Sequence, residues 1–350
     1  MAISNRRFVL ARRPAGVPVA ADFRLEAVPL REPGEGEVLV RNIYLSVDPG
    51  MRARLGEEAS YAAPLGIGET VEGASVGRVV ASRNPRFAEG DMVSGGFGWQ
   101  EWGLSDGRGL RKLDPRLPPS AAIGVLGVPG LTAWVAMREL APPSAGQTVL
   151  ISSAAGPVGA TAGQIAKAMG ARVVGIAGGA EKGAWLTGEL GFDAFIDRRS
   201  VPPDTASLAA EIARLAPDGV HVYLDNVGGH VLEAAVETMA PGGRIVVSGQ
   251  VADYNLPLAR REGVRNVSLF ITRRLVMRGF VVYDHAKSFR DAWTELEEGI
   301  LSGRIKWREE IFDGIEALPE AFIGLFRGDN FGRRLVRVGP VDADGPKASS

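Results

Sequence analysis

The residues whose types and spacing point most clearly to a binding function form a short glycine turn. Gly156, Pro157, Val158 and Gly159 follow the apolar run from Thr148 to Ser152 and precede a segment with one apolar helical face. A glycine at the first position lets the backbone approach an anion, and one at the fourth lets the helix pack closely on the strand. Free N–H groups at the helix N-terminus favour a phosphate there. The turn therefore predicts a pyrophosphate-binding site.

A second strand supports this interpretation of the turn. Residues 171–176 form another apolar, β-branched run, which completes a βαβ unit of about 30 residues, the size of a dinucleotide-binding half. The usual G-x-G-x-x-G pattern has Ala154 at its first glycine position, which lowers the specificity of the match. An ordinary strand-to-helix turn, with small residues kept only for packing, is the alternative.

Length and composition indicate a globular protein of two domains. The chain has 350 residues, more than one typical core accommodates, and 45% of them are hydrophobic while 23% are charged. The 40 basic and 41 acidic side chains give a net charge of -1. This balance gives no excess of positive charge with which to bind nucleic acid or an acidic membrane, and we expect neither as a partner.

Metal and disulfide chemistry have little support in the sequence. The chain has no cysteine, which excludes disulfides and thiolate-ligated zinc. The three histidines, His221, His230 and His285, lack the spacing of metal ligands, and we expect them in loops or at the surface. We therefore predict no metal site.

No segment predicts export or membrane insertion. The region from Met1 to Arg13 has a basic cluster but lacks the long apolar core of a signal peptide. The uncharged run from Leu117 to Met137 is long enough to span a bilayer, but its prolines and glycines make it a poor membrane helix. We expect a cytoplasmic protein.

The order of the elements predicts an α/β domain within a β-rich one. Residues 1–123 show short strands and turns, residues 124–302 alternate strands with helices, and residues 303–340 are expected to return to the first domain. Residues 341–350 form a polar tail that we expect to be disordered. The alternation indicates a doubly wound parallel sheet, whose ligand lies at the carboxyl ends of the strands. The later strands are predicted at Ala194–Asp197, Val220–Asp225, Arg244–Ser248 and Arg278–Val282.

Several short motifs occur in a characteristic order along the chain. They are Tyr44 to Pro49, Gly98 to Trp102, Gly127 to Ala133, Ala154 to Gly159, Gln164 to Lys167, Glu181-Lys182, Asp225 to Gly229 and Tyr254-Asn255. Together they resemble the zinc-independent medium-chain dehydrogenase/reductase superfamily, in its branch of prostaglandin reductases, plant double-bond reductases and curcumin-reductase-like enzymes. The resemblance extends from about Leu39 to Val338. It implies a GroES-like β-rich catalytic domain with an inserted Rossmann domain, NADPH as hydride donor, and reduction of the C=C bond of an α,β-unsaturated carbonyl compound.

The end of the second strand bears on the choice between NAD and NADP. An NAD site needs a carboxylate about 20 residues past the glycine turn, which binds the ribose 2′-hydroxyl. Here that place is Ala177 to Gly179, without an acid, and Lys182 follows within one turn. Glu181 is more simply explained by the helix dipole. Lys182 alone could be a solvated helix residue, but it matches a 2′-phosphate-binding lysine of the resembled family, which favours NADP(H).

Loops after the later strands complete the expected cofactor site. Asn226 follows the fourth strand, and Ser248, Gly249 and Tyr254 belong to the loop after the fifth, so both loops should reach the cofactor cleft. The resemblance adds four cofactor contacts, namely Phe280, Val281, Val282 and Asn330. Plain sheet core is the alternative for the first three of them.

Tyr254 is the candidate catalytic residue. Reduction of an enone needs a hydride at the β-carbon, stabilisation of the enolate oxygen and a proton at the α-carbon. A phenol could hydrogen-bond the oxyanion or donate the proton. An unperturbed pKa of about 10 makes tyrosine a weak acid, so a pocket-lining tyrosine with water as the proton source stays open.

Two positions depart from the resembled family and leave the substrate open. Gly50 stands where relatives commonly have tyrosine after Asp-Pro, and Arg198 stands where many have tyrosine beyond the third strand. Arg198 is expected to add to 2′-phosphate or adenosine binding, with a solvent-facing charge as the alternative. The stretch from Tyr283 to Lys287 matches the Y-x-x-x-K of short-chain dehydrogenases. We interpret that match as chance, because a whole β domain precedes the glycine turn.

Competing hypotheses concern both the reaction and the assembly. A quinone oxidoreductase on the same fold and a non-enzymatic NADPH-binding sensor are the alternatives to a reductase of small α,β-unsaturated carbonyl compounds. Proteins of the resembled branch are usually homodimers. An exposed edge strand at Arg278 to Val282 would allow the sheet to continue across a two-fold axis.

Overall fold

The computed structural model describes residues 4–57, 60, 62–261 and 263–340, so the tail predicted at 341–350 lies outside the described residues. Its first strands are β1 (Ser4–Leu10), β2 (Phe23–Pro29), β3 (Val38–Ser46), β4 (Ser75–Ser82), β5 (Met92–Gly95), β6 (Trp102–Ser105) and β7 (Arg111–Lys112). The middle strands are β8 (Thr148–Ser152), β9 (Arg172–Ala177), β10 (Ala194–Asp197), β11 (Val220–Asp225), β12 (Met239–Val247) and β13 (Val276–Gly279). The middle helices are α1 (Val128–Val135), α2 (Pro157–Ala168), α3 (Ala180–Gly188), α4 (Thr205–Leu215), α5 (Gly229–Thr238), α6 (Ser268–Thr272) and α7 (Phe289–Leu301). The chain ends with β14 (Glu309–Asp313), α8 (Leu318–Arg327) and β15 (Arg333–Arg337).

The chain divides into two compact units. Met1–Gly124 and Glu309–Ser350 form the first, and Val125–Arg308 forms the second. The sequence-based boundaries were 123/124 and 302/303. The stretch before β14 belongs with the second unit because Gln164 on α2 binds it twice: the side-chain amide donates to the Lys306 carbonyl (2.8 Å) and its oxygen accepts the Lys306 N–H (2.8 Å).

The first unit is the predicted GroES-like β domain. Its main sheet has the order β14-β15-β3-β4-β5-β7, with β6 paired to β3, and β1 and β2 form a separate antiparallel ribbon. Trp99 is fully buried at the centre of one core, 5.3 Å from the Phe23 ring and 5.7 Å from the Phe322 ring on α8. Aromatic contacts of this kind join the two chain segments of the unit, because Phe322 comes from the returning segment.

The second unit is the predicted doubly wound sheet. All six strands are parallel, in the order β10-β9-β8-β11-β12-β13. Helix α1 packs on α2 and α7, while α4 packs on α5. Apolar residues of β8, β9 and β11 are almost fully buried, as expected for strands covered on both faces. This order of strands is that of a Rossmann fold, with its switch point between β8 and β11.

The sixth strand is shorter than the sequence predicts. It ends at Gly279, which pairs with Val247, and a 3₁₀ helix begins at Val282. The interpretation of Phe280 to Val282 as sheet core was therefore wrong. The apolar run continues beyond Gly279, but no neighbouring strand continues with it, because β12 ends at Val247.

The uncharged run from Leu117 to Met137 is not one long helix. It contains a 3₁₀ helix at Pro119–Ile123 and then α1, separated at Gly124 and Gly127. Across the described ranges, every helix is too short or too polar to cross a bilayer.

Candidate cofactor and active site

The carboxyl ends of all six parallel strands lie at one edge of the second unit's sheet. Neighbouring strands are about 4.8 Å apart, so this edge is about 24 Å long, which suits an extended dinucleotide. In strand order, the loops at this edge carry Arg198 after β10, Lys182 after β9, Gly156 to Gly159 after β8, Asn226 after β11, Ser248 to Tyr254 after β12 and Phe280 to Val282 after β13. The predicted site residues of this unit thus share one edge.

Helix α2 begins at the central switch point. Gly156 is its N-cap, and Pro157 occupies the first helical position, where the missing N–H costs nothing. Pro157 and Val158 are half-buried, so the first turn remains partly accessible. The N-terminal N–H groups of a helix are the ones without intrahelical partners, and they suit a pyrophosphate.

Gly159 brings this helix against the strand end. A Cβ built on Gly159 would lie 2.6 Å from the Ser153 carbonyl oxygen and 2.7 Å from the Ala154 Cα, so no side chain fits. Ser153 has a φ of 51°, a left-handed conformation that is uncommon outside glycine. The left-handed residue of the turn is therefore Ser153, next to Ala154, which occupies the motif's first glycine position.

Asn226 is fixed in the loop after β11 by two serines. Its side-chain amide donates to the Ser152 carbonyl (2.7 Å), and its backbone N–H donates to the Ser152 hydroxyl (2.9 Å). The Ser248 hydroxyl donates to the Asn226 side-chain oxygen at 2.5 Å. These bonds connect the ends of β8, β11 and β12, and they hold Asn226 in one orientation at the switch point.

A buried acid lies directly behind Asn226. Asp225 has no exposed surface, and its Oδ1 accepts from the Tyr223 hydroxyl (2.7 Å) and from the N–H groups of Val227 (3.1 Å) and Gly228 (3.0 Å). Its Oδ2 accepts no hydrogen bond from the described residues. Burial raises the pKa of Asp225, and burial together with the nearby Asp225 charge raises the pKa of Tyr223 far above its ordinary value. Tyr223 therefore stays a hydrogen-bond donor.

Tyr254 folds back over the loop that follows β12. Its hydroxyl oxygen accepts the Gln250 N–H at 3.3 Å, and a Cβ built on Gly249 would lie 3.3 Å from the same oxygen. The side chain is half-buried. Since Gly249 also lies against the Asn226 carbonyl, the phenol is placed beside the Asn226 loop.

The end of β13 presents an apolar segment. Phe280 and Val281 are half-buried, while Val282 is buried. The Phe280 ring makes an edge contact with the His285 ring, 5.9 Å between centroids. His285 in turn bonds Glu139 at 2.6 Å. The segment is anchored at its far end and offers an apolar surface at the strand edge.

The end of β9 lies between a lysine and an arginine. Gly179 is the N-cap of α3, with a φ of 97° that favours glycine, and Lys182 is half-buried in the first turn of that helix. Glu181 is exposed and lies 3.4 Å from Arg308. Arg198 lies against Gly178, since a Cβ built there would be 3.2 Å from the arginine Nε. Lys182 and Arg198 thus flank the turn where the sequence lacks an acid.

The remaining predicted positions belong to the first unit. Gly50 lies in a 3₁₀ helix, Pro49–Leu55, whose N-cap Asp48 accepts from the Ser46 hydroxyl (2.8 Å) and from the buried Arg333 (Nη2 to Oδ2, 3.2 Å). Asn330 lies between α8 and β15, half-buried, and its amide donates to the Gly332 carbonyl at 3.3 Å.

Comparisons with known proteins identify the family. Residues 6–113 match a family model described as the N-terminal domain of oxidoreductase, and residues 157–298 match one described as zinc-binding dehydrogenase. An NADPH-dependent curcumin reductase of Escherichia coli is 41% identical over 97% of this chain and 98% of its own length. The chain belongs to the medium-chain dehydrogenase/reductase family. It falls in the branch that contains curcumin, 2-alkenal and prostaglandin reductases.

Two further proteins of this branch are similar along their whole length. A 2-alkenal reductase (NADP⁺-dependent) of Nicotiana tabacum is 36% identical over 96% of this chain and 98% of its own. A crystal structure of CurA from Vibrio vulnificus in complex with NADPH has a TM-score of 0.89 and 36% identity, and it covers 96% of this chain and 100% of the other. The medium-chain fold expected from the sequence is thereby confirmed.

Sequence reasoning on this medium-chain family member missed several supporting residues. Ser152, Tyr223 and Asp225 were placed in strands but given no role, although polar residues in otherwise apolar buried strands are a signal that could have found them. Nothing in the sequence marks Ser153, because the left-handed backbone conformation of a serine cannot be predicted from its residue type.

One expectation for the histidines was wrong. His221 lies within β11, half-buried, and accepts the Thr148 N–H at 3.2 Å, so it is part of the sheet rather than a loop. His230 is in the first turn of α5. In the ranges that the structure describes, no group of three or more acidic or histidine side chains is arranged to hold a metal ion.

Proposed function

We propose that this protein is an NADPH-dependent reductase of the C=C bond in α,β-unsaturated aldehydes and ketones. The observation that carries the proposal is the position of Tyr254. Its phenol lies at the same sheet edge as the glycine turn, over the loop where the nicotinamide end of a dinucleotide is expected. The full-length similarity to curcumin and 2-alkenal reductases supports the same substrate class.

The residues at the strand edge fit a dinucleotide phosphate. At Gly159 there is no room for a side chain, because α2 lies directly against the end of β8. This close approach places the free N–H groups at the start of α2 at the switch point. We assign the pyrophosphate to Gly156, Pro157, Val158 and Gly159. Lys182 and Arg198 supply positive charge at the end of β9, where NADPH but not NADH has a phosphate. When bound, NADPH supplies the hydride.

Further contacts are assigned along the same edge. Asn226, Ser248 and Gly249 would bind the nicotinamide half, because they lie at the ends of β11 and β12. Phe280, Val281 and Val282 would form an apolar wall that excludes water. Asn330 of the first unit is assigned to the cofactor by family resemblance.

Tyr254 is assigned to the substrate oxygen. A phenol O–H at this edge would donate a hydrogen bond to the carbonyl oxygen and stabilise the negative charge that develops there as the C=C bond is reduced. The proton for the α-carbon comes either from the same phenol or from water.

A panel of acceptors tests the proposed reaction. Purified protein is given NADPH, or NADH in parallel, with a medium-chain 2-alkenal, an aryl enone or a quinone, each with and without chelator. We expect oxidation of NADPH by the alkenal or the enone, unaffected by chelator. Turnover of the quinone alone would support a quinone oxidoreductase, and binding of NADPH without any turnover would support a sensor.

Replacement of Tyr254 by phenylalanine should lower kcat for the alkenal by about 100-fold, because one preorganised donor to an oxyanion is removed. The KM for NADPH should remain within about 2-fold, since phenylalanine keeps the aromatic ring that this loop brings to the cofactor cleft. Tyr283→Phe is the matched control, because Tyr283 is 60% exposed in the same unit. A kcat for Tyr254→Phe within about 3-fold of wild type would assign the residue to the pocket wall alone.

We also propose a homodimer through β13. All four residues of this edge strand are exposed, and Val276 (58%) and Met277 (44%) leave an apolar edge that a second copy would cover. Light scattering after gel filtration should give twice the mass of one chain, and Val276→Lys with Met277→Lys should give one chain. Leu301→Lys, on an exposed part of α7, is the control. A monomeric wild type, or a dimeric double variant, would contradict the proposal.

A further inference from the structure

Two arginines after β10 converge on the glycine turn after β9. A Cβ built on Gly178 would lie 3.1 Å from the Nε of Arg199 and 3.2 Å from the Nε of Arg198. A Cβ built on Gly179 would lie 3.3 Å from an Nη of Arg199. A side chain at position 178 would displace both arginine side chains by a few tenths of an ångström, so both lie directly against this turn.

The two positive charges lie together at this turn, where the Asp197 carboxylate attracts Arg199. Both side chains are exposed, and within the described part of the chain neither guanidinium group makes a hydrogen bond or an ion pair. Like charges this close repel each other, and exposed arginines are normally free to move apart. A pair that converges on one point is suited to bind an anion with two or more oxygens.

Asp197 accounts for the position of Arg199. Its Oδ1 accepts the Gly179 N–H (2.8 Å) and the Arg199 N–H (2.9 Å), so one carboxylate joins the turn after β9 to the turn after β10. The Gly179 N–H is the main reason that the pKa of Asp197 lies below its usual range, so the carboxylate is charged at neutral pH. Its negative charge would repel a nearby phosphate unless Arg199 offset it.

The location of Arg198 and Arg199 in the fold indicates which anion they would bind. Strand β9 is the direct neighbour of β8, which carries the pyrophosphate turn, and the adenosine ribose of a bound dinucleotide lies at the end of this neighbouring strand. A phosphate monoester on that ribose presents a negative charge and three terminal oxygens, pairs of which match the N–H groups of a planar guanidinium.

We propose that Arg199, together with Arg198, binds the 2′-phosphate of the coenzyme and sets the preference for NADPH over NADH, and that Asp197 is the positioning residue that holds Arg199 at this turn. The inference rests on the proposed function, since it takes NADPH to be the coenzyme. It adds a second guanidinium group and its anchor to the contacts assigned above.

Binding of two nucleotide fragments tests the role of Arg199 without any turnover. Calorimetry with 2′,5′-ADP and with 5′-AMP separates the 2′-phosphate from the rest of the adenosine site. Arg199→Ala should weaken 2′,5′-ADP by about 10-fold or more and leave 5′-AMP within about 2-fold, because a charge-assisted pair of hydrogen bonds is lost only for the first. Arg199→Lys should retain part of the binding.

Arg214→Ala is the matched control for the change in charge. Arg214 is exposed on the last turn of α4 and paired with Glu211 at 2.6 Å. Since α4 leads to the amino end of β11, Arg214 lies at the opposite edge of the sheet. This variant should bind 2′,5′-ADP as the wild type does.

Two substitutions test the positioning role of Asp197. Asp197→Asn keeps an oxygen that can accept both N–H groups, so it should preserve the selectivity for 2′,5′-ADP over 5′-AMP. Asp197→Ala should lose about as much of that selectivity as Arg199→Ala. Thermal unfolding of each variant is measured in parallel, because a merely structural role would lower stability and weaken both fragments equally.

Each result decides a separate question. If wild type binds 2′,5′-ADP no better than 5′-AMP, both the NADPH proposal and this inference fail. If wild type prefers 2′,5′-ADP and Arg199→Ala behaves as Arg214→Ala does, NADPH stands and the role of Arg199 is overturned. If Arg199→Ala loses selectivity but Asp197→Ala keeps it, the positioning role of Asp197 is wrong.

Discussion

Replacement of Gly159 by valine is expected to weaken NADPH binding by about 100-fold. Overpacking costs about 1–3 kcal/mol, and the upper end applies here because the atoms in the way, the Ser153 carbonyl oxygen and the Ala154 Cα, belong to the backbone. About 3 kcal/mol corresponds to a 100-fold change in Kd. Helix α2 would have to leave the end of β8, and its N–H groups would leave the pyrophosphate. Fluorescence titration with NADPH measures the effect.

Gly188→Ala is the control for this experiment. Gly188 ends α3, and a Cβ built there meets no atom within 4 Å, so alanine should leave NADPH binding unchanged. Thermal unfolding of both variants separates a displaced helix from a collapsed domain. Unchanged affinity of Gly159→Val for NADPH would show that the turn does not hold the coenzyme.

Replacement of Asp225 by alanine is expected to lower the free energy of unfolding by about 3 kcal/mol. Removing one partner of a buried charged network leaves the others unsatisfied, which costs about 3–5 kcal/mol for a buried ion pair and less where neutral donors remain. Here the donors left without a partner are the Tyr223 hydroxyl and the N–H groups of Val227 and Gly228. The turn that carries Asn226 would loosen, so the KM for NADPH should also rise.

Denaturant unfolding and a double-mutant cycle with Tyr223→Phe measure this network. Because Tyr223 and Asp225 are bonded at 2.7 Å, the two substitutions should not be additive. Asp225→Asn should cost less than Asp225→Ala, since the amide keeps an oxygen acceptor. A loss below about 1 kcal/mol for Asp225→Ala would mean that water satisfies the donors and that the carboxylate does not hold the turn.

The parallel sheet was largely predictable from sequence for a clear physical reason. Strands β10 and β11 were predicted with the bounds that the structure has, because strands covered on both faces are continuous apolar runs that end in turn residues. The end of β13 was not predictable. Phe280 to Val282 are as apolar as a strand, and only the end of β12 at Val247 shows that pairing stops there.

Residues of the candidate site could be proposed from the sequence only where the residue type itself indicates a single role. Gly156 and Gly159 were proposed because a turn that must approach an anion needs glycine. The Asp197 anchor depends on a hydrogen bond between the ends of neighbouring strands, for which a single sequence gives no spacing rule. The Tyr223–Asp225 pair lies within β11, and its burial in the folded sheet is what distinguishes it from a surface pair. Arg199 was not selected from the sequence, because it looks like any surface charge there. Only the structure shows that it lies against Gly178, in the turn after β9.

The product formed from a 2-alkenal and NADPH carrying deuterium at its hydride-donating position tests the central proposal most directly. Mass spectrometry and NMR of the product identify which carbon received the label. We predict a saturated aldehyde with one deuterium on the β-carbon and an α-hydrogen from solvent. An allylic alcohol with deuterium on the former carbonyl carbon would contradict the proposal, because the protein would then reduce the C=O bond.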